Sequence, residues 1–516
     1  MTATKVQAGR DGEQTGLSAT GTETANITAA GGKCVVMWFR DDLRLADNPA
    51  LQAAVDTGLP VVCVFVHDPA LPLGAAARWW LDGGLRALHT SLAVHGGALL
   101  ILRGSTVETM CDLLRHLQPA EIFWNRRYAL PERDMDAQVK AFCKANGIGA
   151  SSFGASLLHE PWTIQTRAGG RFRVFTAWWR AAMEMGDPAP ALHAPQQVSC
   201  RPLSGTTTTG ALGIGSRGID ALGLVPTAPD WAGGLRATWQ PGEDKALSCL
   251  HTFLNDGLEG YATLRDCPHG VTTSRLSPYL RFGHISPRQI WHAAKNAVLS
   301  ARGAISSQDL EKFLSELGWR DFSWYLLFDR PDLVRENFRP EFDAMPWLNE
   351  VDLFAAWSRG QTGYPLVDAG MRQLWATGWM HNRVRMVVAS FLTKHLLIDW
   401  RKGAHWFDDT LVDADPASNV VGWQWVAGSG VDAAPYFRVM NPVLQSEKFD
   451  PEGEYIKEFV PELRNLPAHA LHAPWQASAT DLARAGVRLG ETYPHPIVEH
   501  RFARERALAA WKATTR

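Results

Sequence analysis

The sequence predicts an α/β N-terminal domain with a doubly wound parallel sheet, joined by a long connector to an all-α C-terminal domain. Three observations predict it. Short apolar runs alternate with amphipathic helical patterns over the first third of the chain. The stretch from 186 to 240 is rich in Pro, Gly, Ala and Thr, including Thr206-Thr-Thr-Thr209, and reads as a surface connector. From about 245, apolar residues recur at helical spacing and strand-like runs nearly vanish. The resulting units are a tail at 1–32, an α/β domain at 33–160, a connector at 161–244 and a helical domain at 245–510.

Residues 1–32 are Thr-, Ala-, Gly- and Ser-rich without periodicity, which reads as a disordered tail. Four buried strands follow: Cys34-Val-Val-Met-Trp-Phe39, Val61-Val-Cys-Val-Phe-Val66, Ala98-Leu-Leu-Ile-Leu102 and Glu121-Ile-Phe-Trp124. Helical patterns at 48–57, 75–94 and 106–116 separate them. Continuous apolar strands between helices indicate a parallel sheet covered on both faces. Polar groups directly follow the strands: Arg40-Asp-Asp42, His67-Asp68 and Asn125-Arg-Arg127. The carboxyl edge of such a sheet is where ligands bind. No GxGxxG follows the first strand, so an ordinary dinucleotide site is not supported. In the second half, Ser286-Pro287 supplies an N-cap and a first-turn proline. Helices are expected over 310–328, 366–397 and 399–411.

Composition narrows the function. The chain has 516 residues, 46% hydrophobic and 20% charged, which excludes a largely disordered protein. No run of 18 apolar residues is present, so no membrane span is expected, and the polar N-terminus shows no signal peptide. The 7 cysteines are scattered, with no CxxC pair, which fits a reducing cytoplasm. A formal charge of −2 excludes a uniformly basic protein but leaves room for a local basic patch. Tryptophan is unusual. There are 22 Trp against 8 Tyr. Ten of them fall between Trp319 and Trp425, about twice their share by length. Core packing accounts for most of them singly, and less well for the clustering.

From Arg372 to His405 there are six Lys/Arg against one acid, Asp399, interleaved with Trp375, Trp379 and Trp400. A solvated basic face is one reading. Cationic groups beside stacking aromatics are also a nucleic-acid signal. Asp413-Ala-Asp415 lacks a His or Glu at a supporting offset for a metal. Gly260-Tyr-Ala-Thr-Leu-Arg265 and Thr272-Thr-Ser-Arg-Leu-Ser277 offer hydroxyls and arginines that cap a helix or hold a phosphate. Each signal alone is weak.

Together they are specific. Thr273-Ser-Arg-Leu-Ser277, Glu316-Leu-Gly-Trp-Arg-Asp-Phe322, Gly363-Tyr-Pro-Leu-Val-Asp368, Met371-Arg-Gln, Gly378-Trp-Met-His-Asn-Arg-Val-Arg-Met386, Asp399-Trp400 and Gly422-Trp-Gln-Trp425 resemble, in order, the photolyase/cryptochrome flavoproteins. Asp432-Ala-Ala-Pro-Tyr-Phe-Arg438, Asn441-Pro and Lys448-Phe-Asp extend the match, and Trp38-Phe-Arg-Asp-Asp-Leu-Arg-Leu-Ala-Asp-Asn-Pro49 is similar to the family's opening signature. The resemblance spans about 33–510 and points most nearly to class I cyclobutane pyrimidine dimer photolyases.

The resemblance implies FAD in the helical domain and an antenna pigment in the α/β domain. By similarity, Tyr261, Thr273, Ser274, Arg275, Leu276, Ser277 and Arg320 would hold the FAD, its pyrophosphate above all. Arg385 and Asp413 would pair beside the flavin ring, Asp415 would lie near the ribose, and Asn419 would face flavin N5. Excited reduced flavin would pass an electron to a flipped dimer, whose ring splits and returns it. Trp319 and Trp425 would wall the dimer, Glu316 would hydrogen-bond its base edge, and Asn382 and Met386 would line the same pocket. Arg265, Arg383 and Arg438 would hold DNA phosphates, a positioning role without sequence specificity. Trp423, Trp400 and Trp347 match the family's electron-transfer chain to the flavin.

The partner implied is ultraviolet-damaged DNA, single- or double-stranded, bound by a cytoplasmic monomer. The (6-4) photolyases carry two His where this chain has Asn382 and Met386, and plant-type cryptochromes tend to have Asp where it has Asn419 and a long tail where it ends soon after Ala510. Both comparisons favour dimer repair over (6-4) repair or light signalling. Val420-Val-Gly422 departs from the more polar stretch of many class I members. Glu132 resembles the acid that binds a folate antenna, but Pro131 replaces the Asn expected beside it. Methenyltetrahydrofolate is the expected antenna, with a deazaflavin or no antenna left open.

Overall fold

The computed structural model describes residues 33–201, 211–270, 273–301, 303–432 and 437–514. The expected tail at 1–32 and the Thr206–209 run lie outside them. The chain opens with β1 (Val35–Phe39), α1 (Pro49–Asp56), β2 (Val61–His67), α2 (Ala75–Val94), β3 (Leu99–Arg103), α3 (Thr106–Leu117), β4 (Glu121–Asn125), α4 (Leu130–Ala145) and β5 (Gly149–Phe153). These strands form a sheet of order β5-β4-β1-β2-β3, all parallel. The alternation within β1 explains its unbroken apolar run. Val35, Met37 and Phe39 face one core, and Val36 and Trp38 face another shared with α3 and α4.

The expected connector is not bare loop. It holds α5 (Phe175–Glu184), β6 (Ala211–Ile214), α6 (Ser216–Asp220) and α7 (Gly233–Thr238), and β6 adds a sixth strand, antiparallel to β3. A strand only four residues long carries too little pattern for sequence reading.

The helical half runs through α8 (Glu243–Asp256), α9 (Tyr261–Leu264), α10 (Ser277–Arg281), α11 (Pro287–Ser300), α12 (Ser307–Asp329), α13 (Val351–Ser358), α14 (Pro365–Thr377), α15 (Asn382–Ser390), α16 (Trp400–Thr410) and α17 (Pro416–Ala427). It closes with α18 (Pro442–Phe449), α19 (Glu454–Phe459), α20 (Ala468–Leu471), α21 (Ala479–Ala485) and α22 (His500–Thr514). Ser286 caps α11 with a reciprocal Gln289 contact, as Ser-Pro suggested. The single helix expected over 366–397 is instead α14, α15 and a π-turn at Phe391–His395. Gly378 is the reason. It ends α14 with φ 67°, and an added Cβ there would lie 2.6 Å from Leu235 and 2.8 Å from Val412.

One apolar core runs from the sheet's inner face into α8, α10, α11 and α12, so the two halves share it. A second core holds α12 to α17 together. Among the described residues no helix is long and apolar enough to cross a membrane, and no cluster of metal-ligating side chains occurs.

Candidate active site

A cavity of about 230 Å³ in the helical half lies between the 261–281 segment, α12, α15 and the start of α17. Its wall carries Tyr261, Ser274, Leu276 and Ser277 from the first segment. Arg320 and Glu316 come from α12, Arg385 from α15, and Asp413 and Asp415 from the turn before α17. Arg275 adopts φ 50°, a left-handed backbone uncommon outside glycine, so Ser274 and Leu276 reach the cavity while Arg275 turns its guanidinium over Trp379. Thr273 is half-buried and stands off the wall.

Asp413 is the fixed charge of this cavity. It accepts from Ser277 Oγ at 2.6 Å and from Arg385 at 2.8 and 3.1 Å. Arg385 Nε also donates to the Met380 carbonyl at 2.7 Å, which sets the guanidinium plane. Asp415 caps α17 through the Ala417 and Ser418 amides and accepts the Trp324 indole N–H at 3.1 Å. The Asp413/Asp415 pair is thus committed to helix and ion-pair geometry. Burial pushes the Tyr261 phenol up, keeping it a neutral donor. Ile290, Phe313 and Leu317 supply an apolar floor. Hydroxyls and the guanidinium groups of Arg281, Arg320 and Arg385 beside an apolar floor fit a ligand that is an anion at one end and a flat ring at the other, as FAD is. Sequence reading missed the floor and Arg281, which lines the cavity one turn after Ser277; the spacing Ser277–Arg281 was its only signal.

Asn419 lies one residue beyond Ser418 of the wall, its amide nitrogen donating to the Ala404 carbonyl at 3.0 Å and to Asp408 at 2.6 Å. Trp423 is 3% exposed and packs on Gly403, where an added Cβ would meet its ring at 2.1 Å. Trp400, one turn before Gly403 on α16, is 1% exposed and donates to Asn337 at 2.9 Å. Trp347 is half-buried.

On α12, Glu316 pairs with Arg265 and lies 3.4 Å from Lys312. Trp319 stacks on Phe175, ring centroids 3.7 Å apart and 11° from parallel. Trp425 donates its indole N–H to the Asp432 carbonyl at 3.0 Å and walls a separate cavity with Arg438 and Lys394. Asn382 is exposed at the start of α15, and the half-buried Met386 touches Arg383 through sulfur at 3.9 Å. Arg265 and Arg383 are not free cations. Glu316 holds the first, and Asp266 holds the second while Phe449 stacks against it at 4.4 Å. Arg438 is exposed.

A crevice also opens at the carboxyl ends of β1 and β4, where the strand order reverses. Two small cavities there, about 40 and 90 Å³, share Asp41, Arg127, Glu132 and Arg281. Arg127 Nε and Glu132 Oε2 are buried without a protein partner. Burial alone would raise the Asp41 carboxyl, but Arg281 and Arg127 outweigh it and hold it low.

Comparison with known proteins agrees with this geometry. The family described as DNA photolyase matches residues 35–196, and that described as the FAD binding domain of DNA photolyase matches 313–513. A deoxyribodipyrimidine photo-lyase of Agrobacterium fabrum is 48% identical, covering 93% of this chain and 98% of its own. Cryptochrome-2 of Arabidopsis thaliana is 38% identical over 92% of this chain and 78% of its own. The crystal structure of a bacterial class III photolyase from Agrobacterium tumefaciens superposes with a TM-score of 0.89 at 46% identity, covering 95% and 99% of the two chains. The chain belongs to the photolyase/cryptochrome family, and its helical half is that family's FAD-binding domain.

Proposed function

We propose that the protein, an enzyme of the photolyase type, repairs cyclobutane pyrimidine dimers in single- or double-stranded DNA under blue light. One observation carries this reading. The helix α12 presents Glu316 and Arg320 on the cavity wall, with Trp319 on the turn between them. The residues read as lesion contacts and those read as flavin contacts therefore adjoin on one rigid element.

When bound, FAD supplies the light-driven electron that opens the dimer. The protein's tasks are to bind, to orient and to exclude water. Tyr261 and Ser274 hold the pyrophosphate through hydroxyls, with Thr273, Arg275, Leu276 and Ser277, whose own hydroxyl is given to Asp413, shaping the turn. Arg385, neutralised by Asp413, sits at the ring, Asp415 near the ribose, and Asn419 at N5. Trp319 and Trp425 sandwich the flipped bases, each worth about 1–3 kcal/mol of stacking. Glu316 receives the base edge after exchanging Arg265 for it, and Asn382 and Met386 complete the pocket. Arg265, Arg383 and Arg438 take DNA phosphates. Trp423, Trp400 and Trp347 relay electrons that restore the reduced cofactor and take no part in repair.

Asn382 and Met386, in place of two histidines, support dimer rather than (6-4) specificity. Asn419 supports repair rather than signalling. The relatives lend no support to class I in particular, and the likeness to a class III photolyase favours that class. Glu132 and Arg127 favour methenyltetrahydrofolate as antenna over a deazaflavin. A cytoplasmic monomer is the working state.

The test is repair of two oligonucleotides, one with a cyclobutane thymine dimer and one with a (6-4) product, by pre-reduced protein in blue light and in the dark. Light-dependent conversion of the first alone is expected. Conversion of the second would overturn the specificity assigned to Asn382 and Met386. No conversion by protein that holds and photoreduces FAD would make it a light sensor.

A further inference from the structure

Asp408 has no counterpart among the residues singled out in the sequence, yet it touches the most consequential of them. Asn419 Nδ2 lies 3.0 Å from the Ala404 carbonyl and 2.6 Å from Asp408 Oδ1. A backbone carbonyl only accepts, so the nitrogen of this amide must face Ala404. Its two hydrogens are then both used, one on Ala404 and one on Asp408. Among the described residues no donor reaches Asn419 Oδ1, which is left as the side chain's one free group.

We propose that Asp408 is a positioning residue for the photochemistry: it locks the Asn419 amide so that only Oδ1 is offered to flavin N5, and its ionisation sets how strong an acceptor that oxygen is. The inference rests on the reading of Asn419 as the neighbour of N5. A carboxylate on one amide hydrogen polarises the group and enriches its oxygen in charge. Protonation of Asp408 removes that polarisation.

The neighbours leave Asp408 free to titrate. On its own helix, His405 is exposed, and Asp409 is occupied by the Ala75 amide of α2 at 2.9 Å. The other charge at that end of α2, Arg78, donates to the Leu73 carbonyl. From α10, Arg281 is bound to Asp41 and the Ala414 carbonyl. Asp415 is spent on capping α17 and on Trp324, and Asp413 on Arg385 and Ser277. On the π-turn packed behind α16, Lys394 points at Phe437 instead. Asp408 therefore has no ion pair among the described residues. Burial pushes its carboxyl up to about 6, against the opposing pull of Asn419, His405 and Arg281.

The experiment is a redox titration of the holoenzyme's flavin against dye standards between pH 5 and 8. Wild type is expected to show an inflection in midpoint potential near pH 6, because reduction adds charge beside a group that takes up a solvent proton there. Asp408→Asn keeps the shape and an acceptor for Asn419, so flavin content holds while the inflection vanishes. An unchanged inflection in Asp408→Asn would overturn the proposal. Should that variant yield no holoenzyme, Asp408→Glu keeps an acid: a displaced inflection supports the role and an unmoved one overturns it. Asn419→Leu separates the underlying reading. If it leaves the potential untouched at every pH, Asn419 is not at N5 and the premise fails. If it shifts the potential while Asp408→Asn leaves the inflection, only the role of Asp408 fails.

Discussion

The crevice at the sheet's carboxyl edge and the cavity of the helical half are both lined with charge, but they are built differently. In the crevice the charges close on one another through long-range pairs. Arg40 pairs with Asp136, 96 residues away, and Asp136 also accepts the Trp124 indole N–H at 2.8 Å. Asn125 donates to Asp42 at 2.6 Å and to Asn48 at 2.7 Å. Among the described residues most of these groups are paired, and Trp38 Nε1, Arg40 Nε, Arg126 Nε, Arg127 Nε and Glu132 Oε2 keep buried polar atoms without a protein partner. In the helical cavity the pair Arg385–Asp413 stands beside an apolar floor of Ile290, Phe313 and Leu317, with Tyr261, Ser274 and Ser277 on the same wall. The first can change its ligand without disturbing the sheet. The second commits to one.

The largest effect that would break this contrast is at Asp413. Asp413→Ala leaves a partly buried guanidinium and a serine without their acceptor, a loss of about 3–5 kcal/mol for a broken buried pair. We expect purified protein with little or no flavin, read from its absorbance ratio, whereas Glu132→Gln should keep full flavin content and lose only antenna absorbance. Equal flavin loss in both variants would end the distinction.

Next in size is Trp423→Phe. Light-driven reduction of oxidised flavin should fall to near zero, while repair by chemically reduced enzyme is retained. Loss of repair as well, with flavin still bound, would sink the separation of relay from pocket. Trp319→Ala and Trp425→Ala come third. Each should weaken binding of a dimer-containing oligonucleotide roughly 10- to 100-fold, as about 1–3 kcal/mol of stacking implies, and barely touch undamaged DNA. A gel-shift titration reads both, and an equal loss on both DNAs would mean that these indoles pack rather than recognise.

The contrast also explains what the sequence made legible. Strands β1 to β4 were readable because both faces are buried and the apolar run is unbroken. The strand β5, half-exposed along its length as Gly-Ala-Ser-Ser-Phe, carries no such signal, and β6 is too short to carry one. In the site, the hydroxyl and arginine motifs stood out because their spacing is local. Phe313 and Ile290 did not, since an apolar floor looks like any core. Nor did Asp408, whose meaning comes from a contact with Asn419 that two helices create. The partners of Arg265 and Arg383 were invisible for the same reason. A basic run in sequence does not reveal the carboxylates that folding brings to it.

The smallest effect concerns a charge that neither site explains. Lys394 is 1% exposed, with its ammonium 3.4 Å from the centroid of Phe437. Burial lowers its pKa from 10.5 to about 7. The sign follows from proton counting. Between pH 7 and 10.5 the unfolded chain holds a proton here that the folded chain has lost, so this residue's contribution to stability rises with pH across that window. Below pH 7 the folded state carries the whole cost of a buried cation, offset in part by the aromatic ring. Lys394→Met keeps the volume and removes the charge. It should stabilise the protein by about 1–3 kcal/mol at pH 6, with the gain shrinking towards pH 10. Urea unfolding of both proteins at several pH values reads the difference directly. A gain independent of pH would mean that packing, not charge, separates them. A loss at pH 6 would mean that this ammonium has a use in the cavity beside Trp425, as a cation held ready for an anionic ligand.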